Sequence, residues 1–146
     1  MGINVGLARE RIDVIFASVR RLQKLAVLPL DEFVADPDYF AIAAHHLRRA
    51  LEALFDIGRH IIAKEGWGHP QDYRSIIMLL GQKKVIPLEF ARQISGMAGY
   101  RNRLVHGYAE VSPEEMHGLL RRRLDDLDAF CRHVLGYLSD LGFWDA

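Results

Sequence analysis

The sequence predicts an all-α protein, an up-and-down bundle of four to five helices. Apolar residues recur at intervals of three and four along most of its 146 residues, as they do on one face of an amphipathic helix. Prolines and glycines interrupt this pattern, and no segment alternates with a period of two for long enough to indicate a strand. We therefore expect helices packed around a common core.

Composition predicts one globular domain over residues 1–146. Half of the residues are hydrophobic and 26% are charged, and the length allows a core without stabilising disulfides. The 19 basic and 19 acidic residues cancel, so any contact with nucleic acid would be local. The single cysteine, the lack of a signal-peptide pattern and the lack of a bilayer-length apolar run predict a cytoplasmic protein that does not enter a membrane.

The first two helices are predicted over 3–28 and from about 38 to 64. The first stripe comprises Ile12, Ile15, Phe16, Val19, Leu22, Leu25 and Ala26. The segment after Pro29, LDEFVADPDYF, is interpreted as a connection in which Asp36 or Asp38 caps the second helix. The second stripe comprises Phe40, Ala43, Leu47, Ala50, Leu51, Leu54, Ile57, Gly58 and Ile61.

The EGWGHPQD turn ends the second helix, and a short third helix is predicted over 73–81. A fourth helix is predicted to begin at Pro87, which suits the N1 position, and to continue through the segment YRNRLVHGY at 100–108. Its apolar stripe comprises Ala91, Ile94, Met97, Ala98, Leu104 and Val105.

The last helix has the clearest start, because Ser112, Pro113 and Glu115 form a capping-box pattern. Its seam alternates steps of four and three and comprises Leu120, Leu124, Leu127, Cys131, Val134, Leu138 and Leu141. Gly142 is the expected residue after the helix C-cap.

Arg101 is an anomaly, because on a helical wheel it lies in the middle of the apolar stripe of the fourth helix. Burying an uncompensated charge costs several kcal/mol. Three explanations are open: an internal salt bridge, a side chain that extends to solvent, or a cleft that binds an anion. Asn102 and His106 are neighbours on one shoulder of the helix, and Arg103 adds a second cation.

This set of side chains suits phosphodiester chemistry. Arginine can bind a phosphate through two hydrogen bonds and stabilise the charge that develops on it, and histidine can transfer protons near neutral pH. Arg101 and His106 are about 140° apart on a regular wheel, however. Either the long Arg101 side chain reaches round, or Gly107 loosens the helix end, or a second subunit completes the site.

The segment from Arg101 to Tyr108 resembles the Arg-x4-His-x-Tyr signature of HepT-like toxins, a branch of the HEPN ribonuclease superfamily. LDEFVADPDYF, AIAAHHLRRALEALFDIGRHIIA, GWGHPQDYR, MAGYRNRLVHGY and EVSPEEM are similar to corresponding parts of that family, in the same order. The resemblance implies a HEPN-like helical fold, a homodimer with a composite cleft, and metal-independent RNA cleavage with no cofactor.

The resemblance also implies residue roles and a partner. Arg101 and His106 would carry catalysis, and Asn102 and Arg103 would support them. A minimal nucleotidyltransferase antitoxin of the MntA type would neutralise the toxin by transferring AMP to Tyr108. The alternative function is a non-catalytic helical adaptor that binds a nucleotidyltransferase.

The remaining histidines and the cysteine do not indicate a metal site. His45 and His46 are adjacent and face differently, and Cys131 and His133 lack further ligands nearby. The scattered histidines His60, His69, His117 and His133 are interpreted as surface or supporting residues.

Overall fold

The computed structural model describes residues 2–106 and 111–143 and contains eight helices in that part of the chain. They are α1 (Val5–Ala26), α2 (Leu30–Ala35), α3 (Pro37–Glu65), α4 (Tyr73–Gln82), α5 (Leu88–Ile94), α6 (Met97–His106), α7 (Pro113–Arg122) and α8 (Leu124–Asp140). The described residues form no strand, and the predicted all-α class is confirmed. No described helix is both long and apolar enough to cross a bilayer.

The two longest helices, α1 and α3, pack side by side in opposite directions. The backbone N–H of Asn4 donates to His60 Nε2 at 2.8 Å, so the start of α1 lies at the end of α3. Two helix turns further along the chain, Arg11 Nε of α1 donates to Asp56 Oδ2 of α3 at 3.2 Å. The two helices are therefore antiparallel. The Asn4 side chain caps α1 by accepting from the Leu7 N–H.

The predicted connection after Pro29 is partly wrong, because it contains α2. Leu30, Phe33 and Val34 have helical spacing, and the Phe33 ring is completely buried against Tyr39 and His117. Burial of one aromatic ring thus stabilises a helix too short to be stable alone. The predicted Asp36 cap is confirmed, since its carboxylate accepts from the Asp38 N–H at 2.9 Å.

The predicted fourth helix is divided into α5 and α6, so its assignment as one continuous helix was wrong. The Ser95 hydroxyl donates to the Arg92 carbonyl at 3.0 Å. The N–H groups of Ala98 and Gly99 bond to carbonyls three residues earlier rather than four, which tightens the chain at Ser95 and Gly96. Ile94 and Arg101 lie on different helices, so their predicted positions on a single helical wheel do not apply.

The predicted last helix is also divided, with Arg123 between α7 and α8. The seam residues from Leu120 to Leu138 are buried as predicted, but Leu141 is 46% exposed. Gly142 has a φ of +84°, and the Gly142 and Phe143 N–H groups bond to Ser139 and Leu138 carbonyls. This is the Schellman arrangement in which glycine is favoured after a helix end.

His117 differs from its predicted surface position, because it is only 7% exposed. Its Nε2 lies 2.7 Å from the Leu28 carbonyl oxygen. A carbonyl can only accept, so Nε2 carries the proton and donates. This bond connects α7 to the turn after α1, which explains why a buried imidazole is tolerated.

Gly58 allows α3 and α4 to pack closely. A Cβ atom at this position would lie 2.6 Å from Ile76 Cγ2 and 3.2 Å from Leu80 Cδ1, so the helices would have to separate. Ile76 is β-branched and buried, and it has little freedom to move away. The short approach matters for the site because Tyr73, the first residue of α4, lies beside α3.

We predict that Gly58→Ala lowers the free energy of unfolding by about 1–3 kcal/mol, because it overpacks the α3–α4 contact. Gly136→Ala is the matched control, since a Cβ at this helical glycine in α8 would meet nothing within 4 Å. That control should be neutral or stabilising by up to about 1 kcal/mol. Urea unfolding measures both changes. Equal stabilisation by the two substitutions would contradict the close packing.

Candidate functional site

The α6 helix carries most of the predicted site and packs against the core through Met97, Ala98 and Leu104. Arg101 lies between these residues along the helix and is partly buried. Val105, one turn after Arg101, was predicted to be buried but is 37% exposed. The end of α6 thus presents an apolar side chain to solvent one turn after Arg101.

The Arg101 side chain is held against an aromatic ring rather than against a carboxylate. Its guanidinium carbon lies 4.7 Å from the centroid of the Tyr73 ring, within the range of a cation–π interaction. Its Nε atom is buried and has no hydrogen-bond partner in the described part of the chain. None of the ion pairs found there includes Arg101. An internal salt bridge therefore does not account for this cation within residues 2–106 and 111–143.

Asn102 and His106 are both exposed near the end of α6. The helix extends through His106, so these two residues are neighbours one turn apart, as predicted. Regular helical geometry also keeps Arg101 and His106 about 140° apart around the axis and roughly 7.5 Å apart along it. The helix between them is not unwound, so one α6 does not turn both groups to the same side.

Arg103 has a different environment, because it is bonded to Glu115 at the start of α7. Its two terminal nitrogens donate to the two carboxylate oxygens at 2.8 and 2.7 Å. The Tyr100 hydroxyl donates to the same carboxylate at 2.8 Å, and the Arg103 guanidinium carbon lies 5.2 Å from the Tyr100 ring centroid. These contacts hold α6 against the start of α7.

The predicted capping box at Ser112 is half confirmed. The Ser112 hydroxyl accepts from the Glu115 N–H at 3.1 Å, as a cap should. The Glu115 side chain does not return to the Ser112 backbone, however, because Arg103 and Tyr100 bind it. The charge-assisted pair with Arg103 is stronger than a bond to a neutral N–H.

Two pKa shifts follow from this network. The hydrogen bonds from Arg103 and then from Tyr100 lower the pKa of the Glu115 carboxyl below its ordinary value of 4.5. Burial raises the pKa of the Tyr100 hydroxyl, and the bond to the Glu115 carboxylate adds to that rise. Glu115 is therefore anionic and Tyr100 protonated at neutral pH.

Tyr108, the predicted AMP acceptor, lies outside the described residues. Within residues 2–106 and 111–143, no group of three His, Cys, Asp or Glu side chains is arranged to hold a metal ion. Burial raises the pKa of the Cys131 thiol to about 12, so this side chain is protonated within the core. The rings of His45 and His46 lie 5.0 Å apart in an edge-to-face arrangement.

Sequence reasoning missed three residues near the site: Arg59, Tyr73 and Glu115. Glu115 was assigned only to the helix cap, because its spacing from Arg103 in the sequence gave no signal of an ion pair. Tyr73 belongs to a turn segment that carries the family resemblance, which was its only signal. Arg59 lies on the polar face of α3, where a charged residue has an ordinary explanation.

Fold and site together define a class: a helical protein with, on one helix, an exposed imidazole and a guanidinium that has no carboxylate partner among the described residues, groups suited to phosphate chemistry. A family model described as "Ribonuclease HepT-like" matches residues 15–134. The chain belongs to this HepT-like ribonuclease family, and the resemblance seen in the sequence is confirmed.

Individual relatives agree with this assignment. The chain is 27% identical to the tRNA nuclease HepT of Aphanizomenon flos-aquae over 135 residues, which is 92% of each protein. It is 32% identical to the mRNA nuclease HepT of Shewanella oneidensis over 85 residues, 58% of this chain and 64% of the relative. A tri-AMPylated Shewanella oneidensis HEPN toxin in complex with MNT antitoxin has a similar structure, with a TM-score of 0.80 and 25% identity, covering 89% of this chain and 97% of that one.

We predict that the Arg103–Glu115 pair contributes about 1 kcal/mol to the free energy of unfolding at neutral pH, since both side chains are about one-third exposed. Because the folded pKa of Glu115 is lowered, this stabilisation is present above pH 4.5 and is lost as the pH falls through the folded pKa. Glu115→Gln should therefore reduce the acid sensitivity of stability, measured by urea unfolding between neutral pH and about pH 3.

Glu89→Gln is the control, because Glu89 forms a highly exposed ion pair with Arg92 within one helix. It should change the pH dependence little. If Glu115→Gln behaves like Glu89→Gln, the network does not brace α6 against α7.

Proposed function

We propose that this chain is the toxin of a toxin–antitoxin pair, a metal-independent endoribonuclease that a minimal nucleotidyltransferase neutralises by AMP transfer. One observation carries the proposal beyond family membership. The Arg101 guanidinium is held on Tyr73 without a carboxylate partner in the described part of the chain, on the helix that also exposes His106. We place the reaction in the cytoplasm, where both RNA and ATP are available.

The reaction begins with attack of a ribose 2′-hydroxyl on the adjacent phosphorus. The 2′-oxygen–phosphorus bond forms and the phosphorus–5′-oxygen bond breaks, leaving a 2′,3′-cyclic phosphate and a 5′-hydroxyl. His106 takes the proton from the 2′-hydroxyl or gives one to the leaving 5′-oxygen, and Arg101 stabilises the charge on the phosphorane. Asn102, one turn before His106, supports this chemistry through its exposed amide.

A homodimer would assemble the complete site. Arg101 and His106 point in different directions on one α6, whereas two copies facing one another would place an arginine from one beside a histidine from the other. Val105 supports this arrangement, because its exposed apolar side chain lies one turn after Arg101. Burial against a second α6 would remove that surface from water.

The single domain over residues 1–146 stays a prediction.

Neutralisation by AMP transfer follows from the same charges. Tyr108 comes two residues after His106, and the similar Shewanella toxin is AMPylated. Each adenylate adds a negative phosphate and a bulky nucleoside near Arg101. The added phosphate would occupy the position of the RNA phosphate and repel the RNA backbone.

We predict that Arg101→Ala and His106→Ala each reduce cleavage of single-stranded RNA by at least about a hundredfold, because each removes a group that acts on the transition state. EDTA should leave the parent activity unchanged, and the products should carry 2′,3′-cyclic phosphate ends. Gel analysis of a labelled RNA measures rate and end chemistry.

His69→Ala is the control, since His69 is an exposed histidine in the loop before α4. This variant should cleave RNA at the parent rate. If Arg101→Ala and His106→Ala also cleave at the parent rate, the proposed site is wrong. Expression of the chain alone should arrest growth. A harmless chain would instead favour the non-catalytic adaptor.

We predict that co-expression with a minimal nucleotidyltransferase adds adenylate to the parent protein but not to Tyr108→Phe, because the substitution removes the acceptor oxygen. Intact-mass spectrometry measures the added adenylates. Tyr100→Phe should still be modified, since the Tyr100 hydroxyl is bonded to Glu115. Equal labelling of Tyr108→Phe and the parent would place the acceptor elsewhere.

A further inference from the structure

We propose that Arg59 is a second phosphate-binding residue of the RNA cleft, and that Tyr73 is a positioning residue that holds Arg59 and Arg101 beside successive phosphates of one RNA strand. This proposal rests on the proposed ribonuclease function. It adds two residues on α3 and α4 to a site otherwise confined to α6 and the residues that follow it.

The geometry centres on the Tyr73 ring. The Arg59 guanidinium carbon lies 4.9 Å from the ring centroid, and the Arg101 guanidinium carbon lies 4.7 Å from the same centroid. Two cations from different helices therefore share one aromatic side chain. Residues 42 positions apart in the sequence are brought together only by the packing of α3, α4 and α6.

Tyr73 is itself fixed in place. It is the first residue of α4, and the Asp72 carboxylate caps that helix by accepting from the Ser75 N–H at 2.7 Å. The buried Phe55 ring of α3 packs against the Tyr73 ring with a centroid separation of 4.5 Å. The close approach at Gly58 brings α4 against α3 next to Arg59. The ring is thus a packed platform and not a free surface side chain.

The arginines of this protein differ in whether a carboxylate pairs with them. Of the thirteen other arginines, all in the described part of the chain, six form ion pairs with carboxylates, and these are Arg11, Arg48, Arg92, Arg103, Arg123 and Arg132. Neither Arg59 nor Arg101 has such a partner there. Two neighbouring cations repel one another, and the Asp72 carboxylate, which precedes Tyr73 in the chain, caps α4 and forms no ion pair with either arginine in the described residues. Two phosphates of one strand, one bound at each guanidinium, would offset that repulsion.

The exposures of the two arginines suggest different roles. Arg101 is partly buried with an unpartnered Nε atom, so it suits the phosphate at which bonds change. Arg59 is exposed, so it suits a neighbouring phosphate that is bound equally in the ground and transition states. A backbone phosphate carries no base identity, and Arg59 would contribute affinity rather than sequence preference.

The first test compares Arg59→Ala with Lys83→Ala. Lys83 is the matched control, because its exposed ammonium also lies over an aromatic ring, 5.6 Å from the centroid of Trp67, but at the opposite end of α4 from Tyr73. Arg59→Ala should raise the KM for RNA roughly tenfold with little change in kcat. It should also reduce the slope of log affinity against log salt by about 0.7, the value for one phosphate contact on a single strand. Lys83→Ala should change neither quantity.

The second test concerns Tyr73 as a positioning residue. Tyr73→Phe keeps the ring and should keep kcat, KM and the salt slope of the parent. Tyr73→Leu removes the ring and should lower kcat through Arg101 while raising KM through Arg59. Thermal unfolding checks that both variants fold. Loss of activity in Tyr73→Phe equal to that in Tyr73→Leu would overturn the positioning role.

RNA binding separates failure of this proposal from failure of the nuclease function. Fluorescence anisotropy with a short single-stranded RNA is measured on His106→Ala, which keeps the platform but should not cleave, with and without Arg59→Ala. If the parent does not cleave RNA but Arg59→Ala still weakens binding and lowers the salt slope, the nuclease function fails and the phosphate site stands. If the parent cleaves and Arg59→Ala binds and cleaves like Lys83→Ala, the phosphate site is wrong.

Discussion

The interaction on which the site depends is that of Arg101 with an aromatic ring in place of a carboxylate. A guanidinium keeps its charge at any accessible pH, so a partly buried arginine requires a compensating contact. The Tyr73 face supplies attraction without neutralising the charge. The cation therefore stays available to a phosphate, which a salt bridge would have prevented.

The surrounding helices serve this arrangement at specific contacts. Gly58 lets α4 approach α3 closely enough for the Tyr73 ring to pack on Phe55. On the other side of α6, the pair between Arg103 and Glu115 holds the helix against the start of α7. Arg103 thus stabilises the contact between α6 and α7, whereas Arg101 has no carboxylate partner in the described part of the chain. The family signature by itself does not distinguish these two uses.

Much of the fold was predictable because it rests on local patterns. The stripes of α1, α3 and α8, the Asp36 cap and the positive φ of Gly142 follow from periodicity and from the preferences of single residues. The short helix α2 and the break at Ser95 were not predicted. Phe33 stabilises α2 through contacts with distant residues, and at Ser95 the side-chain hydroxyl bonds to the Arg92 carbonyl, which hydrophobic periodicity does not reveal. Both cases depend on competition between local preference and packing.

The sequence by itself determined the all-α class, the family and the segment from Arg101 to Tyr108, because a helical period and a short motif can be recognised without knowing what lies nearby. Only the tertiary structure decided how the charges of that segment are used. It paired Arg103 with Glu115, left Val105 exposed and brought Arg59 to the ring that holds Arg101. These outcomes depend on distances between helices that are far apart in the chain, and no local pattern encodes such distances.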